Sequence, residues 1–230
     1  MTAHPAGPRY SGLFVAVAVA FVACLITANV VSAKLIAVGG FVLAAGIVVF
    51  PLSYVIGDVL TEVYGYSAAR RVIWLGFGAN LLFVVAAAIG GALPAPAFWP
   101  HQAAYDQILG QAPRILAASF LAFLVGEFMN SYVLAKMKIL TQGRWLWTRT
   151  IGSTVVGQAC DSIIFVTIAF VGTVPLPAIL GIIVTQWLAK CAYEAAATPL
   201  TYLVVHYLKR TEGIDTYDRG TRFNPFAVTT

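Results

Sequence analysis

The chain has 230 residues, of which 60% are hydrophobic and only 10% are charged, whereas about 25% of the residues of a typical soluble domain are charged. This composition excludes an ordinary water-soluble protein, and the length suits one membrane domain because a spanning helix needs about 20 apolar residues. The formal net charge of +5 does not indicate nucleic-acid binding, because the basic residues lie scattered between apolar runs and form no dense basic stripe.

Six long apolar runs are the candidate spanning segments, and they must be helical because backbone groups in hydrocarbon have to be hydrogen-bonded internally. These runs cover residues 13–31, 35–57, 72–92, 115–135, 150–170 and 178–203. We therefore predict an all-α integral membrane protein with a six-helix domain over residues 11–208. A short segment, 1–10, precedes this domain, and a polar tail, 209–230, follows it and is expected to be poorly ordered.

The distribution of positive charge predicts the orientation of the chain. Alternate connections, counted from the N-terminus, carry eleven Lys and Arg residues, whereas the other connections carry only Lys34 and Arg114. Because Lys and Arg near span ends are retained on the cytoplasmic side, both termini are predicted to be cytoplasmic.

Two proline-containing segments are expected to interrupt the helices. Pro51 removes a backbone donor and should kink or break the second helix, which Tyr64-Gly65 would end. The connection 94–113 contains prolines and aromatic residues and is expected to form an outward interfacial loop instead of a helix. This loop could cover a binding site or merely anchor the chain at the interface.

Polar residues inside the predicted spans are the candidate functional residues, because a charge at the centre of a spanning helix costs about 2.5 to 3.5 kcal/mol and therefore faces a partner or a wet cavity. The candidates for substrate binding are Tyr54, Asp58, Glu127, Asn130, Gln158, Asp161 and Lys190. The candidates for a supporting role are Thr61, Glu62, Ser162, Gln186 and Glu194. They fall on helical faces, since i+3, i+4 and i+7 spacings align side chains along one side of a helix.

The polar residues of the second and fifth spans share one spacing. They follow the pattern i, i+4, i+7, i+8 at equivalent places in the two halves of the chain, from Tyr54 to Glu62 and from Thr154 to Ser162. Such a pattern is a hint of two three-helix halves related by an inverted repeat, as in several transporter folds.

The balance of charge inside the spans favours a solute site. Lys190 could pair with Asp161 or Glu127 only to let the helices pack. However, the spans contain more carboxylates than cations, and surplus buried carboxylates either hold protons or accept a donor-rich ligand. A site for a small polar solute, in a protein embedded in the lipid bilayer, is therefore the favoured interpretation.

Enzyme, metal and cofactor sites are not indicated. The chain has no H-E-x-x-H, G-x-S-x-G or P-loop pattern, and its three histidines lie outside the middles of spans. The three cysteines show neither C-x-x-C spacing nor a nearby histidine. We expect no enzyme, no resident metal or cofactor and no nucleic-acid partner. A homo-oligomer, most simply a dimer, is a further expectation, because Gly39, Gly40, Gly76 and Gly78 could permit close helix contact.

The stretch FPLSYVIGDVLTEVYGY at 50–66, followed by Ala68-Ala69-Arg70-Arg71, resembles the vitamin uptake transporter family, also called queuosine precursor transporters. Further resemblance lies in Gly126-Glu127, in the run 152–162, and in Lys190 with Pro199. It covers about residues 13–208, which is nearly the whole membrane portion.

The resemblance implies a bacterial inner-membrane importer of 7-deazaguanine precursors of the tRNA nucleoside queuosine, such as preQ0 and preQ1. A guanine-like edge presents adjacent N–H donors that one carboxylate accepts, and either Glu127 or Asp161 could supply it. Gln158 and Asn130 could contact the other edges of the base. The aromatic residues that could stack on the ring are Tyr54, Phe128 and Trp187.

Alternatives remain open at this point. The chain could instead be the substrate-binding membrane subunit of a multi-component vitamin or nucleobase importer, which would also be a small six-helix protein. A membrane enzyme acting on lipid is a third interpretation, although no motif supports it. Proton coupling and facilitated diffusion are equally compatible with the sequence.

Overall fold

A computed structural model of the chain describes residues 11–32, 34–38, 41–110, 113–172 and 175–227. The elements within these ranges are α1 (Gly12–Val31), β1 (Leu35–Val38), β2 (Phe41–Ala44), α2 (Phe50–Tyr64), α3 (Tyr66–Ala92), α4 (Gln102–Leu109), α5 (Pro113–Leu140), α6 (Leu146–Phe170) and α7 (Leu176–Glu212). In this part of the chain six helical segments are long and apolar enough to cross a membrane: α1, Ala45–Tyr64 with α2 in it, α3, Gln102–Leu140 with α4 and α5 in it, α6 and α7. The predicted six-helix membrane fold is confirmed.

The first half of the second predicted span is not helical. Strands β1 and β2 pair in antiparallel orientation, with Leu35 opposite Ala44 and Val38 opposite Phe41. A 3₁₀ turn, Ala45–Val48, leads from the hairpin into α2. The expectation of one helix over 35–57 is therefore wrong, and Gly39-Gly40 between two apolar runs is the hairpin signal that the span assignment overlooked.

Pro51 does not break a helix, because α2 begins only at Phe50 and places the proline in its first turn. The first N–H groups of a helix have no intrahelical acceptor, so a proline there costs no hydrogen bond. The predicted kink is therefore wrong. The predicted end of this helix is confirmed, since α2 stops at Gly65, whose φ of +83° separates it from α3.

The described part of the connection 94–113 is not all irregular, because α4 begins two residues after Pro100. This short helix lies on the end of α3, where Tyr105 Oη donates to the Ala87 carbonyl oxygen at 2.9 Å. A Cβ built on Gly91 would lie 3.3 Å from the Tyr105 ring, so a small residue makes room for α4. The expectation that no helix forms in this loop is wrong for Gln102–Leu109.

The C-terminal tail packs against the membrane domain as far as residue 227. Trp74 Nε1 donates to the Pro225 carbonyl oxygen at 2.8 Å, and Arg70 Nη1 donates to the Arg222 carbonyl oxygen at 2.9 Å. The Tyr66 N–H donates to the carboxylate of Asp218 at 3.0 and 3.1 Å. The expected poor order of the tail is wrong, because side chains spaced by four residues on one face of α3 bind its backbone.

The apolar core joins α1 to α3. Phe21 and Leu25 are buried, and a Cβ built on Gly76 would lie 2.9 Å from the Phe21 ring. Gly76 therefore serves packing within the chain and is not free to form the oligomer contact that the sequence suggested. Gly78 has open space beside it, and Gly39, Gly40 and the segment 1–10 lie outside the described residues. The dimer stays a prediction.

Candidate functional site

Two glycines bring α5 and α6 into close contact at the level of the candidate residues. A Cβ built on Gly157 would lie 2.7 Å from Asn130 Cβ. A Cβ built on Gly126 would lie 2.8 Å from Asp161 Cβ and 2.9 Å from Tyr54 Oη. The absence of side chains at these two positions therefore lets polar groups of α2, α5 and α6 gather around the helix crossing.

Helix α2 adds Asp58 to this group. Asn130 Nδ2 donates to Asp58 Oδ1 at 2.7 Å. Glu127 lies one turn before Asn130 on α5, and Gly57 leaves space for its carboxylate, since a Cβ built on Gly57 would overlap Glu127 Oε1. Glu127 thus lies directly against the backbone of α2.

Helix α7 closes the group with Lys190 and Glu194. Lys190 Nζ donates to Asp161 Oδ2, and the same ammonium lies 5.2 Å from the centre of the Phe50 ring. Glu194, one turn further along α7, interacts electrostatically with Asp58 and Glu127. We call the assembled group the polar site and define it by Tyr54, Asp58, Glu127, Asn130, Gln158, Asp161, Lys190 and Glu194.

Many polar atoms of this site have no hydrogen-bond partner among the described residues. They are Tyr54 Oη, Asp58 Oδ2, Asn130 Oδ1, Gln158 Oε1 and both carboxylate oxygens of Glu127 and of Glu194. A buried polar atom without a partner costs about 1 to 3 kcal/mol. Such groups are retained together where a proton, a water molecule or a ligand can satisfy them, so their concentration here indicates a binding site.

The polar site lies near the middle of the bundle along its axis. At 1.5 Å per residue, Glu127 is about 20 Å from either end of α5. Asp161 and Lys190 are likewise in the interiors of α6 and α7. A mid-bundle position, enclosed by helices from both halves of the chain, is where secondary transporters bind their substrates.

Glu62 lies in a separate ion cluster, defined here as Glu62, Lys138, Arg149, Lys209 and Asp215. Arg149 donates to both carboxylate oxygens of Glu62 at 2.7 Å, and Lys209 Nζ donates to Oε1 at 2.6 Å. Lys138 Nζ donates to the Glu62 carbonyl oxygen at 2.5 Å and to Asp215 Oδ1 at 2.6 Å. Glu62 is thus neutralised by three cations that were predicted to lie in the connections between spans. It does not belong to the polar site.

The other predicted supporting residues have different surroundings. Thr61 Oγ1 donates to the Gly57 carbonyl oxygen at 3.0 Å and lies 3.1 Å from Ser131 Oγ, so it links α2 to α5. Ser162 is buried with no partner for its hydroxyl oxygen in the described chain, and Gln186 is half-buried on α7.

The three aromatic candidates have three different surroundings. Tyr54 is in the polar site, and its ring is 5.6 Å from that of Phe50. Phe128 packs in the apolar core with its ring 5.8 Å from Trp74, so the expectation that it could stack on a ligand is wrong. Trp187 Nε1 donates to the Val155 carbonyl oxygen at 2.9 Å. Phe50 was not among the predicted site residues, although it lies one turn before Tyr54 in the sequence and therefore on the same side of the helix.

These features together define a class of protein. Six segments able to span a membrane enclose polar and charged side chains at mid-bundle. Secondary transporters bind polar solutes at sites of this kind. The fold and the site are those of a multi-pass membrane transporter.

Comparison with known proteins identifies the family. The sequence model of the family described as "Putative vitamin uptake transporter" matches residues 44–204, and the chain belongs to this family. A protein of Bacillus subtilis (strain 168), "Probable queuosine precursor transporter", is 34% identical over 193 residues, which are 83% of this chain and 82% of that protein. The "Queuosine precursor transporter" of Escherichia coli (strain K12) is 26% identical over 131 residues, 57% of each chain. No solved structure matches the chain.

Proposed function

We propose that this chain imports 7-deazaguanine precursors of queuosine, such as preQ0 and preQ1, across the bacterial inner membrane. The names of the two relatives support the substrate class. The observation that carries the proposal is the group of buried polar atoms without partners, contributed by four helices at mid-bundle. The chain would move its substrate without altering it chemically.

The chemistry of the polar site fits a guanine-like base. The base presents adjacent N–H donors, which a carboxylate accepts side by side, and the amides of Asn130 and Gln158 offer both donors and acceptors for its other edges. The flat ring has an aromatic neighbour in Tyr54, which is buried beside Phe50.

The pair Asp161 and Lys190 is the part of the polar site that the substrate reaches first in this proposal. The side chains of Lys190 and Asp161 are 17% and 5% exposed, whereas Glu127 is fully buried and Glu194 is 1% exposed. A substrate that donates to Asp161 would compete with Lys190 for the same carboxylate and would open the ion pair.

The ion cluster supports the proposed orientation. Lys138, Arg149 and Lys209 meet at one end of the bundle, and Arg70 binds the backbone of the same tail that supplies Asp215 to the cluster. Because basic residues are retained on the cytoplasmic side, this end and the C-terminus would be cytoplasmic. A reporter fused after the tail and active only in the cytoplasm tests this orientation.

Transport by the purified chain in liposomes tests the proposed function. We expect uptake of labelled preQ0 or preQ1 by counterflow, with the label recovered unchanged inside the vesicles. Asp161→Asn and Lys190→Met should each lower the initial rate at least about tenfold, which corresponds to about 1.4 kcal/mol.

The double variant Asp161→Asn/Lys190→Met is the matched control. It removes both charges at once, so no buried charge is left unpaired. If the pair served only helix packing, the double variant would recover transport, and the proposed site would be refuted. Binding without transport by the purified chain would favour the rival function, a substrate-binding subunit of a multi-component importer.

A further inference from the structure

Two carboxylates of the polar site are closed off from solvent. Glu127 is fully buried and Glu194 is 1% exposed. All four of their carboxylate oxygens lack a hydrogen-bond partner in the described chain. Both residues lie in helix interiors, on α5 and α7. Neither accepts an N–H from a neighbouring amide, in contrast to Asp58, which accepts one from Asn130.

The charges that face these two residues are mostly negative. Glu127 faces Glu194 of α7 and Asp161 of α6, and Asp58 of α2 faces both Glu127 and Glu194. Tyr54 of α2 also interacts with Glu127 and Glu194. On α7 itself, Cys191 and Lys190 are close to Glu194, but the ammonium of Lys190 is bound to Asp161.

Charge balance therefore requires protons. Four carboxylates share this site, whereas the one cation described in contact with them neutralises Asp161. Several unpaired charges in a low-dielectric interior are so costly that such groups bind protons instead. Within the described ranges no cation is bound to Glu127 or Glu194 and no N–H group donates to them, so they are the groups that carry a proton in this arrangement.

We propose that transport by this chain is driven by protons and that Glu127 and Glu194 are the residues that bind and release them. This inference rests on the proposed function and adds the coupling ion to it. In the balanced step, one oxygen of each carboxylate takes a proton from a hydronium ion on the outer side, so an O–H bond forms and a water molecule is released. The same proton later returns to water on the cytoplasmic side, and no electrons are transferred.

The packing of Glu127 explains how proton release would move helices. Its carboxylate lies against the backbone of α2 at Gly57, and Glu194 of α7 interacts with it from another side. In the neutral state the two carboxyl groups do not repel. Loss of both protons would place two like charges in a low dielectric, which favours separation of α2, α5 and α7.

A pH gradient across proteoliposomes tests the coupling. The membrane potential is clamped, the interior is kept at neutral pH, and the exterior is more acidic by about one pH unit. For each coupled proton, this gradient can concentrate the substrate inside the vesicles about tenfold. We expect the wild type to accumulate labelled preQ1 about tenfold or more and to lose the accumulation when a protonophore is added. Counterflow at equal pH is measured on the same vesicles.

The variants are compared by the ratio of the rate with the gradient to the rate without it. In Glu127→Gln/Glu194→Gln this ratio should fall to about one, whatever the absolute rate, because the variant has no proton to exchange there. Asp106→Asn, which removes an exposed carboxylate on α4, should keep the ratio of the wild type. A pH dye trapped in wild-type vesicles gives a second readout, since substrate entry should acidify the lumen.

The outcomes separate the two proposals. Counterflow without any response to the pH gradient, or uptake driven by a sodium gradient instead, would overturn proton coupling and leave the proposed function standing. A substrate-dependent acidification that persists in the double glutamine variant would overturn the assignment to these two residues. Absence of counterflow would overturn both proposals.

Discussion

The strongest stability prediction concerns Glu62, the anion at the centre of the ion cluster. It is fully buried, and it accepts two hydrogen bonds of 2.7 Å from Arg149 and one of 2.6 Å from Lys209. The substitution Glu62→Gln removes this charge and leaves the buried cations Arg149 and Lys138 with only part of their partners. Removing one member of a buried ion pair costs about 3 to 5 kcal/mol.

This loss should be visible in the melting temperature of the detergent-purified protein. For a chain of this length, about 1 kcal/mol corresponds to about 2 to 4 °C, so Glu62→Gln should melt about 6 to 20 °C below the wild type. Asp106→Asn, an exposed substitution with the same change of charge, should melt at the temperature of the wild type. If the two variants melted at the same temperature, the ion cluster would not stabilise the bundle as argued.

Three further predictions use the same melting assay. Gly157→Ala should lower the free energy of unfolding by about 1 to 3 kcal/mol, because its Cβ would crowd the neighbouring helix. Gly78→Ala, which has open space, is its control, and equal melting of both would refute the close helix approach. Asp218→Ala should lower the melting temperature, since it leaves the Tyr66 N–H without its acceptor, and an unchanged temperature would mean that the tail is not docked. Burial raises the pKa of Asp215, but hydrogen bonds and attraction from lysines outweigh it and hold this pKa below its ordinary value. The wild type should therefore melt at a higher temperature than Asp215→Asn above about pH 4, and this difference should disappear as the pH falls below that value. A difference in melting temperature that persisted in stronger acid would contradict this.

The membrane fold could be predicted from the sequence because it depends on the length of apolar runs. The positions of α3, α5, α6 and α7 follow from this pattern, although their ends extend beyond the predicted spans. The polar residues were predictable for the same reason, since a charge or amide is conspicuous in an apolar run. Their convergence was an inference from helical spacing, and the contact between Asn130 and Asp58 supports it.

Other features depend on contacts between distant parts of the chain and could not be predicted in this way. The hairpin was hidden because its residues are as apolar as those of a spanning helix. The tail is polar and lacks periodicity, and its order comes from backbone carbonyl oxygens that accept hydrogen bonds from the side chains of Tyr66, Arg70 and Trp74. Lys138 was predicted to lie in a connection between spans. It lies instead in the last turn of α5, where its ammonium group donates to the Glu62 carbonyl oxygen.

Ligand-dependent melting tests most directly the central claim that the polar site binds a guanine-like base. A ligand at 100 times its dissociation constant adds about 2.7 kcal/mol to the folded state, which corresponds to an increase in melting temperature of about 5 to 11 °C. We expect 7-deazaguanines to raise the melting temperature of the wild type and of Asp106→Asn by this amount, and to leave Asp161→Asn/Lys190→Met unchanged. An equal increase in the double variant, or none in the wild type, would contradict the claim.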